Sequence, residues 1–340
     1  MTDPADLRHM DHALRLARRG LGNVWPNPAV GCVIVAGGRI VGRGWTQPGG
    51  RPHAERMALD MAGSAARGAT AYVTLEPCAH HGRTPPCAEG LRGAGVVRVV
   101  TALTDPDPRV AGRGHGMLRA AGIAVTEGLR QDAARALQRG FLTRVTQGRP
   151  MVTLKLATSF DGRIATAGGE SRWITRAVAR RHAHLLRMTH DAVMVGAGTA
   201  RADRPALNVR GFGPVRQPVR VVLANDPIPP LPPEDAEHGP LWVLSGPPAE
   251  ALAELGRRGL TRVFCEGGGR LAAALLADDL VDELAGYTAG VILGGDGRAA
   301  VGPLAFAALS DAPRFRLVEV RELGGDVFHR WVRQDRPAAG

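Results

Sequence analysis

The sequence predicts two α/β domains in tandem, and three observations carry that reading. Short apolar, strand-like runs alternate with helix-spaced apolar faces along most of the chain. At 340 residues the chain can bury two separate cores. The pattern pauses over Thr143 to Pro150, where Gly148 and Pro150 act as breakers, and then restarts. The boundary this sets gives a first domain of 1–147 and a second of 148–340.

In the first domain, Leu7, Met10, Ala13, Leu14 and Ala17 fall at helical spacing and Gly20 stops the run. Val30 to Ala36 and Arg39 to Gly44 flank Gly37-Gly38, the pattern of a hairpin with a two-residue turn. Pro52 suits the first turn of a helix, and Ala54, Met57, Ala58 and Met61 give that helix one apolar face. Strands are expected at Thr70 to Leu75, Val96 to Leu103 and Ile123 to Val125. Helices are expected after Cys87 and over Met117 to Ala121. This alternation indicates a three-layer α/β/α arrangement.

The second domain opens on a strand at Met151 to Ala157 and a helix from Thr175 carrying Val178, His182, Leu185 and Leu186. Strands follow at Asp191 to Gly196, Val219 to Leu223, Leu241 to Leu244 and Arg262 to Cys265. The last runs into Gly267-Gly268-Gly269 and a helix over Leu271 to Leu276. The proline-rich stretch after Asp226 reads as an exposed, stiff excursion.

Composition excludes several classes. Hydrophobic content of 44% and charged content of 22% are those of a soluble globular chain. The N-terminus carries charge throughout and has no apolar core for a signal peptide, and the apolar runs are too short to cross a bilayer. A cytoplasmic enzyme with no membrane partner is expected. The net charge of +11 could serve nucleic acid or anionic small ligands. The arginines are scattered and aromatics are only 4%, so no basic surface alternates with stacking residues, and no nucleic-acid partner is expected. Phosphate-bearing small molecules, together with an Arg-rich, Ala-rich and Gly-rich composition that reflects coding bias, are the better match. Lys155 is the only lysine in the chain. A lone compact ammonium among arginines marks a position where a guanidinium does not substitute.

The most informative residues are Pro52-His53-Ala54-Glu55, Glu76-Pro77-Cys78 and Pro86-Cys87. One imidazole and two thiolates fill three positions of a tetrahedral Zn²⁺ and leave the fourth for water. Glu55, two residues from His53, is placed to move protons in a hydrolytic reaction rather than to bind metal. In a reducing compartment Cys78 and Cys87 read as ligands, whereas Cys32 and Cys265 lie in apolar runs and read as buried. His81 and His115 read as surface or supporting residues. Zinc deaminases share His-x-Glu followed by Pro-Cys-x-x-Cys. Here the first half matches, but eight residues separate the cysteines.

With that spacer the chain resembles the bifunctional riboflavin-biosynthesis deaminase–reductase family, known as RibD or RibG. The resemblance runs from about Asp11 to about Val332. It rests on Pro26 to Gly31, His53-Ala-Glu55, Val73 to Cys87 and Asp105 to Gly114, then on Leu154 to Gly162, Ser171 to Thr175, Gly198 to Arg210 and Glu266 to Leu271. It implies a cytidine-deaminase-like first domain and a second domain like dihydrofolate reductase. It also implies two consecutive steps on one phosphorylated ribosylaminopyrimidine. Zinc-dependent loss of an amino group comes first, and NADPH then reduces the ribosyl group to ribityl.

The resemblance assigns one Zn²⁺ per chain to His53, Cys78 and Cys87, with Glu55 as catalytic proton shuttle. Asn27, His80 and Arg83 would contact the deaminase substrate. NADPH would meet Ala157, Trp173, Thr199 and Asp203, together with Gly268, Gly269, Arg270 and Leu271. The reductase substrate would meet Lys155, Ser171, Arg187, Leu207, Arg210 and Glu266. Trp173 taken alone reads more readily as core. Three positions depart from the family pattern: Thr46 stands where a His is common, Asp107 replaces an Asn, and Asn225 replaces a Ser. A homo-oligomer is expected, though no residue sets its size. The competing reading is a nucleoside or nucleic-acid deaminase with a non-catalytic C-terminal binding domain. The cysteine spacer and the missing basic-aromatic surface count against it.

Overall fold

The computed structural model describes residues 3–81, 85–107 and 111–334. The chain divides into two compact units, Met1–Gly148 and Arg149–Gly340. Among the described residues no helix is long and apolar enough to cross a membrane.

The first unit contains α1 (Pro4–Ala17), β1 (Gly31–Ala36), β2 (Arg39–Trp45), α2 (Ala54–Ala62), β3 (Thr70–Val73) and α3 (Cys87–Gly93). It continues with β4 (Arg98–Thr101), α4 (Arg113–Ala120), β5 (Ala124–Thr126) and α5 (Gln131–Gln147). The strands form one sheet in the order β2-β1-β3-β4-β5. β1 is antiparallel to both its neighbours, and β3, β4 and β5 are parallel.

Glycines decide which helix covers which face. Gly42 and Gly44 lie opposite Ile34 and Cys32, and a Cβ on either would strike the backbone of α2 at Ala58 or Ala54. Gly31 points the other way, and a Cβ there would fall 2.0 Å from the Ala13 carbonyl oxygen of α1. Thus α1 and α2 press on opposite faces, close enough that only hydrogen fits between backbone and backbone. A three-layer unit results, its core built from Val33, Ile34, Val73, Val99 and Leu118 among others. The hairpin turn is at Gly37-Gly38, both with positive φ.

Several details differ from the sequence reading. The unexpected α5 runs through Thr143 to Gln147, where the sequence pattern predicts a pause, and Gly148 ends it with a φ of +71°. Pro52 lies outside α2, because His53 is the residue that caps it. The helix expected over Met117 to Ala121 begins four residues earlier, at Arg113.

The second unit runs β6 (Met151–Ser159), β7 (Arg163–Ala165), α6 (Ala177–Met188), β8 (Ala192–Gly196), α7 (Ala197–Asp203), β9 (Val219–Leu223) and β10 (Leu241–Leu244). Then come α8 (Pro248–Arg257), β11 (Arg262–Cys265), α9 (Gly269–Ala277), β12 (Glu283–Ala289), β13 (Arg298–Ala299), β14 (Phe315–Glu322) and β15 (Asp326–Arg333). The main sheet has the order β10-β9-β8-β11-β6-β12-β15-β14, and β13 pairs with β7 apart from it. From β10 to β12 every pairing is parallel; β15 is antiparallel to β12 and β14. Six strands therefore end at the same edge, where an open α/β sheet places its ligands. The proline-rich excursion is pinned from below. The fully buried Arg220 of β9 donates to the carbonyls of Gly239 at 2.7 Å, Pro232 at 2.7 Å and Pro233 at 3.3 Å.

Candidate active sites

In the first unit, His53 caps α2 and Cys87 begins α3, while Cys78 lies in the loop after β3. The His53 Nδ1 faces both sulfurs, 3.3 Å from Cys87 Sγ and 3.7 Å from Cys78 Sγ. The three donor atoms all lie within 4.8 Å of one another, and among the described residues this is the one such cluster. The Cys87 backbone N–H donates to Cys78 Sγ at 3.3 Å, which favours thiolate there. Hydrogen bonding from Cys87 outweighs burial and holds the Cys78 thiol down at about 4. An imidazole nitrogen and two sulfurs converging with one thiolate already stabilised form a donor set that suits Zn²⁺.

Glu55 projects from the first turn of α2 and is buried, beside this cluster and outside it. Burial pushes its carboxyl up to about 7, with His53 pulling it down and Cys78 pushing it further up. A carboxyl poised there can both take and give a proton near neutrality. A cation on the three ligands would favour its ionised form.

The structure also places the remaining residues of this site. The Asn27 side chain packs against Gly50, where a Cβ would come within 1.9 Å of Asn27 Nδ2, so Gly50 seats it three residues before His53. His80 is exposed, two residues beyond Cys78. Arg83 lies outside the described residues, as does Arg109. His81 is exposed and pairs with Glu89 at 3.2 Å. His115 is buried between Thr101 and Glu127, each at 3.0 Å. Thr46, where the family pattern has a His, is buried. Its Oγ1 accepts from the Val30 N–H at 2.9 Å and donates to Pro28 O at 3.0 Å. It braces the strand entry just after Asn27.

The sequence reading quoted Glu76 beside Pro77-Cys78 but gave it no role. This buried carboxylate accepts from four backbone N–H groups: Asp105 at 3.2 Å, Gly112 at 3.0 Å, Gly114 at 2.8 Å and His115 at 3.2 Å. It ties the Cys78 loop to Asp105 and to Gly112, Gly114 and His115. The available signal was an acidic residue closing an apolar strand, directly before Pro77-Cys78.

In the second unit two cavities open at the carboxyl edge of the sheet. One, of about 620 Å³, is lined by Lys155, Arg187, Arg210 and Glu266, and also by Ser171 and Leu207. All six residues assigned to the reductase substrate are therefore together. The other, of about 970 Å³, is lined by Gly268, Gly269, Arg270 and Leu271, with Thr199 and Asp203. Ser171, Thr199, Asp203, Gly268 and Ile164 line both cavities, so the two meet there. Ala157 and Trp173, assigned to the cofactor, line only the smaller one. Trp173 is not core: it is 66% exposed, with the Arg180 guanidinium 4.4 Å above its ring.

Charge in the smaller cavity is tightly arranged. Arg187 Nε donates to Glu266 Oε1 at 2.5 Å and its Nη1 to Asn208 O at 2.5 Å. Burial would raise the Glu266 carboxyl, but Arg187 and Lys155 outweigh it and hold it at about 2. Burial lowers Lys155, with Glu266 opposing and Arg187 reinforcing the shift. His184, missed from sequence, is pushed down to about 4 by burial together with Arg187 and Arg210. It therefore sits neutral, accepting from the Arg210 N–H at 3.3 Å. Leu207 is buried with a φ of +52°, a left-handed conformation that a branched side chain rarely adopts outside ligand-binding turns.

The larger cavity fits a dinucleotide. Gly267 and Gly268 have positive φ, and a Cβ on Gly268 would stand 2.9 Å from Thr199 Oγ1. A Cβ on Gly269 would stand 2.9 Å from Ala299 O. Small residues keep this cradle open at the start of α9, where free N–H groups favour phosphate. Asn225 lines the cavity and accepts from the Gly246 N–H at 2.8 Å, so the amide locks two loops together.

Comparison with known proteins gives these sites a family. The model for the cytidine and deoxycytidylate deaminase zinc-binding region matches residues 4–103, and that for the RibD C-terminal domain matches residues 150–329. The riboflavin biosynthesis protein RibD of Escherichia coli is 43% identical, over 95% of this chain and 98% of that protein. The Haemophilus influenzae RibD is also 43% identical, over 95% and 96%. Among solved structures, Acinetobacter baumannii RibD superposes with a TM-score of 0.88 at 39% identity, covering 97% of this chain and 99% of that one. A Thermotoga maritima diaminohydroxyphosphoribosylaminopyrimidine deaminase/5-amino-6-(5-phosphoribosylamino)uracil reductase gives 0.85 at 34% identity, covering 97% and 99%. With a zinc-type deaminase half, a reductase half and full-length likeness to these proteins, the chain belongs to the RibD family of bifunctional deaminase–reductases of riboflavin biosynthesis.

Proposed function

We propose that residues 1–147 deaminate a diaminopyrimidine bearing a phosphoribosylamino group, and that residues 148–340 reduce the ribosyl group of the deaminated product with NADPH. The observation that carries the first half is the buried Glu55 beside three converging donors. Zn²⁺ on His53, Cys78 and Cys87 supplies a Lewis acid that acidifies water at the site. Glu55 takes one proton from the attacking water and delivers it to a ring nitrogen, then takes the second from the newly added hydroxyl and delivers it to the departing amine. Water adds at the ring carbon and ammonia leaves, so the carboxylate is regenerated. Asn27, His80 and Arg83 hold the substrate.

The second half rests on the two cavities that meet at Ser171, Thr199 and Gly268. NADPH held by Gly268, Gly269, Arg270 and Leu271 would supply a hydride. Arg187 and Arg210 suit the substrate phosphate through paired N–H donors, and Glu266 fixes Arg187 in place. Lys155 lies on β6 between these charges and reaches a sugar hydroxyl as a compact donor. The enzyme works in the cytoplasm as a homo-oligomer, with no nucleic-acid or membrane partner. The test is mass spectrometry of the purified protein fed the diaminopyrimidine phosphate. An NH-for-O exchange with zinc present, followed by gain of two hydrogens on adding NADPH, is expected. No exchange by the zinc-loaded protein would refute the reading.

A further inference from the structure

Resting on the reading of the larger cavity as the NADPH cleft, the topology orients the cofactor along it. Strand ends follow one another in the order β6-β11-β8-β9-β10. The substrate cavity sits at the β6 and β11 ends, through Lys155 and Glu266. The part of the cleft shared with it, at Ser171 and Ile164, must take the reacting ring. The pyrophosphate belongs at the start of α9, after β11. The adenosine then lies beyond the ends of β9 and β10, against Asn225, Asp226 and Gly246. At about 4.8 Å per strand, β11 to β10 spans roughly 14 Å, the reach this layout needs.

Three cations line the cleft: Arg270, Arg298 and Arg201. Arg270 is in the first turn of α9, at the pyrophosphate. Arg298 lies on β13 beside Ala165 and against Gly169, towards the end shared with substrate. Arg201, on α7, is the one at the adenosine end: its Nη2 donates to Pro227 O at 3.4 Å and stands 3.6 Å from Asp226 Oδ2. That ion pair is exposed and long, worth little to folding. Its position is functionally pointed, because an arginine accommodates a ribose 2′-phosphate whereas a carboxylate accepts from a 2′-hydroxyl.

We propose that Arg201 reads the 2′-phosphate of the cofactor and that Asp226 beside it limits the preference for NADPH over NADH. A 2′-phosphate would take the Arg201 guanidinium from Asp226, whose own charge opposes the phosphate. Either residue can thus move the preference without touching the reacting end.

The test is calorimetric binding of adenosine 2′,5′-bisphosphate and of 5′-AMP to the full-length protein. The wild type should prefer the bisphosphate by about tenfold or more, the scale of one charge-assisted bond. Arg201→Ala should remove most of that preference while 5′-AMP binds as before, and Arg201→Lys should restore part of it. Asp226→Asn should raise the preference. If Arg201→Ala keeps the wild-type preference, or weakens both nucleotides equally, the assignment of Arg201 is overturned while the cleft stands. If neither nucleotide binds the wild type, the reading of the cleft falls and the inference with it.

Discussion

The two sites solve the problem of holding a small molecule in opposite ways. In the first unit the chemistry is concentrated: three donor atoms within 4.8 Å and one buried carboxyl, drawn from the start of α2, the start of α3 and one loop. In the second it is distributed over the ends of five strands, in two cavities that share a few residues. A metal site needs a fixed set of donor types at bonding distance, so each ligand is irreplaceable. A cleft for a dinucleotide and a sugar phosphate needs shape, open backbone and charge, and several residue types can supply each. Substitutions should therefore act as all-or-none events in the first site and as graded ones in the second.

The largest effect expected is in the concentrated site. Glu55→Gln should lower deamination by about two to four orders of magnitude, the range of a positioned acid–base group, with zinc content by metal analysis unchanged. Cys87→Ser should lose the metal itself, and stoichiometric zinc in that variant would break the three-ligand assignment. In the distributed site Lys155→Arg keeps the charge but loses the compact ammonium. Steady-state kinetics should show reduction impaired about tenfold, with deamination and zinc normal.

Smaller still is the effect at Glu76. Glu76→Gln leaves an amide facing four backbone donors and should cost about 1–3 kcal/mol in chemical unfolding of the first unit. Its deaminase KM should rise more than its kcat falls, because Asp105 and Gly112 to His115 shift while Glu55 stays in place.

Acid sharpens the contrast through the second unit. Glu266 is held at about 2, below an ordinary glutamate near 4.3, so its contribution is full above that value and drains away as pH falls towards 2. His190 is pushed down to about 3 and His184 to about 4, both by burial first. The unfolded chain binds those protons from about pH 6.5 downward, so stability is lost in the same direction. Thermal unfolding of the second unit should therefore decline progressively below about pH 6.5. A flat profile between pH 6.5 and 4 would contradict the burial of these histidines.

The same contrast explains what the sequence could and could not reveal. His53, Glu55, Cys78 and Cys87 stand out because few residue types bind zinc and their order along the chain is itself a pattern. The Gly267-Gly268-Gly269 run was legible for a similar reason, since open backbone has one residue type. The role of Glu76 was not, because its partners are main-chain groups of Asp105, Gly112, Gly114 and His115, and no side chain advertises them. Arg220 drew no reading of its own among the scattered arginines, yet it is fully buried under the proline-rich loop. Trp173 was weighed as core on hydrophobicity, whereas its ring stands in solvent under Arg180. The strands β12, β14 and β15 were also missed. β14 at the sheet edge and β15 beside it mix charged and apolar residues, so neither strand alternation nor a buried run is clear there, and the interior β12 is broken up by small residues. Thr46 shows a further limit: a departure from the family pattern that was read as still able to hydrogen-bond spends those bonds on Pro28 and Val30.

The central claim is that the two sites are independent. The direct test is the reductase rate of Glu55→Gln on the already deaminated substrate with NADPH, in a preparation shown to be folded and zinc-loaded. The account predicts a wild-type rate of reduction from a protein that no longer deaminates. Loss of most of the reductase activity in that folded, zinc-loaded variant would contradict it.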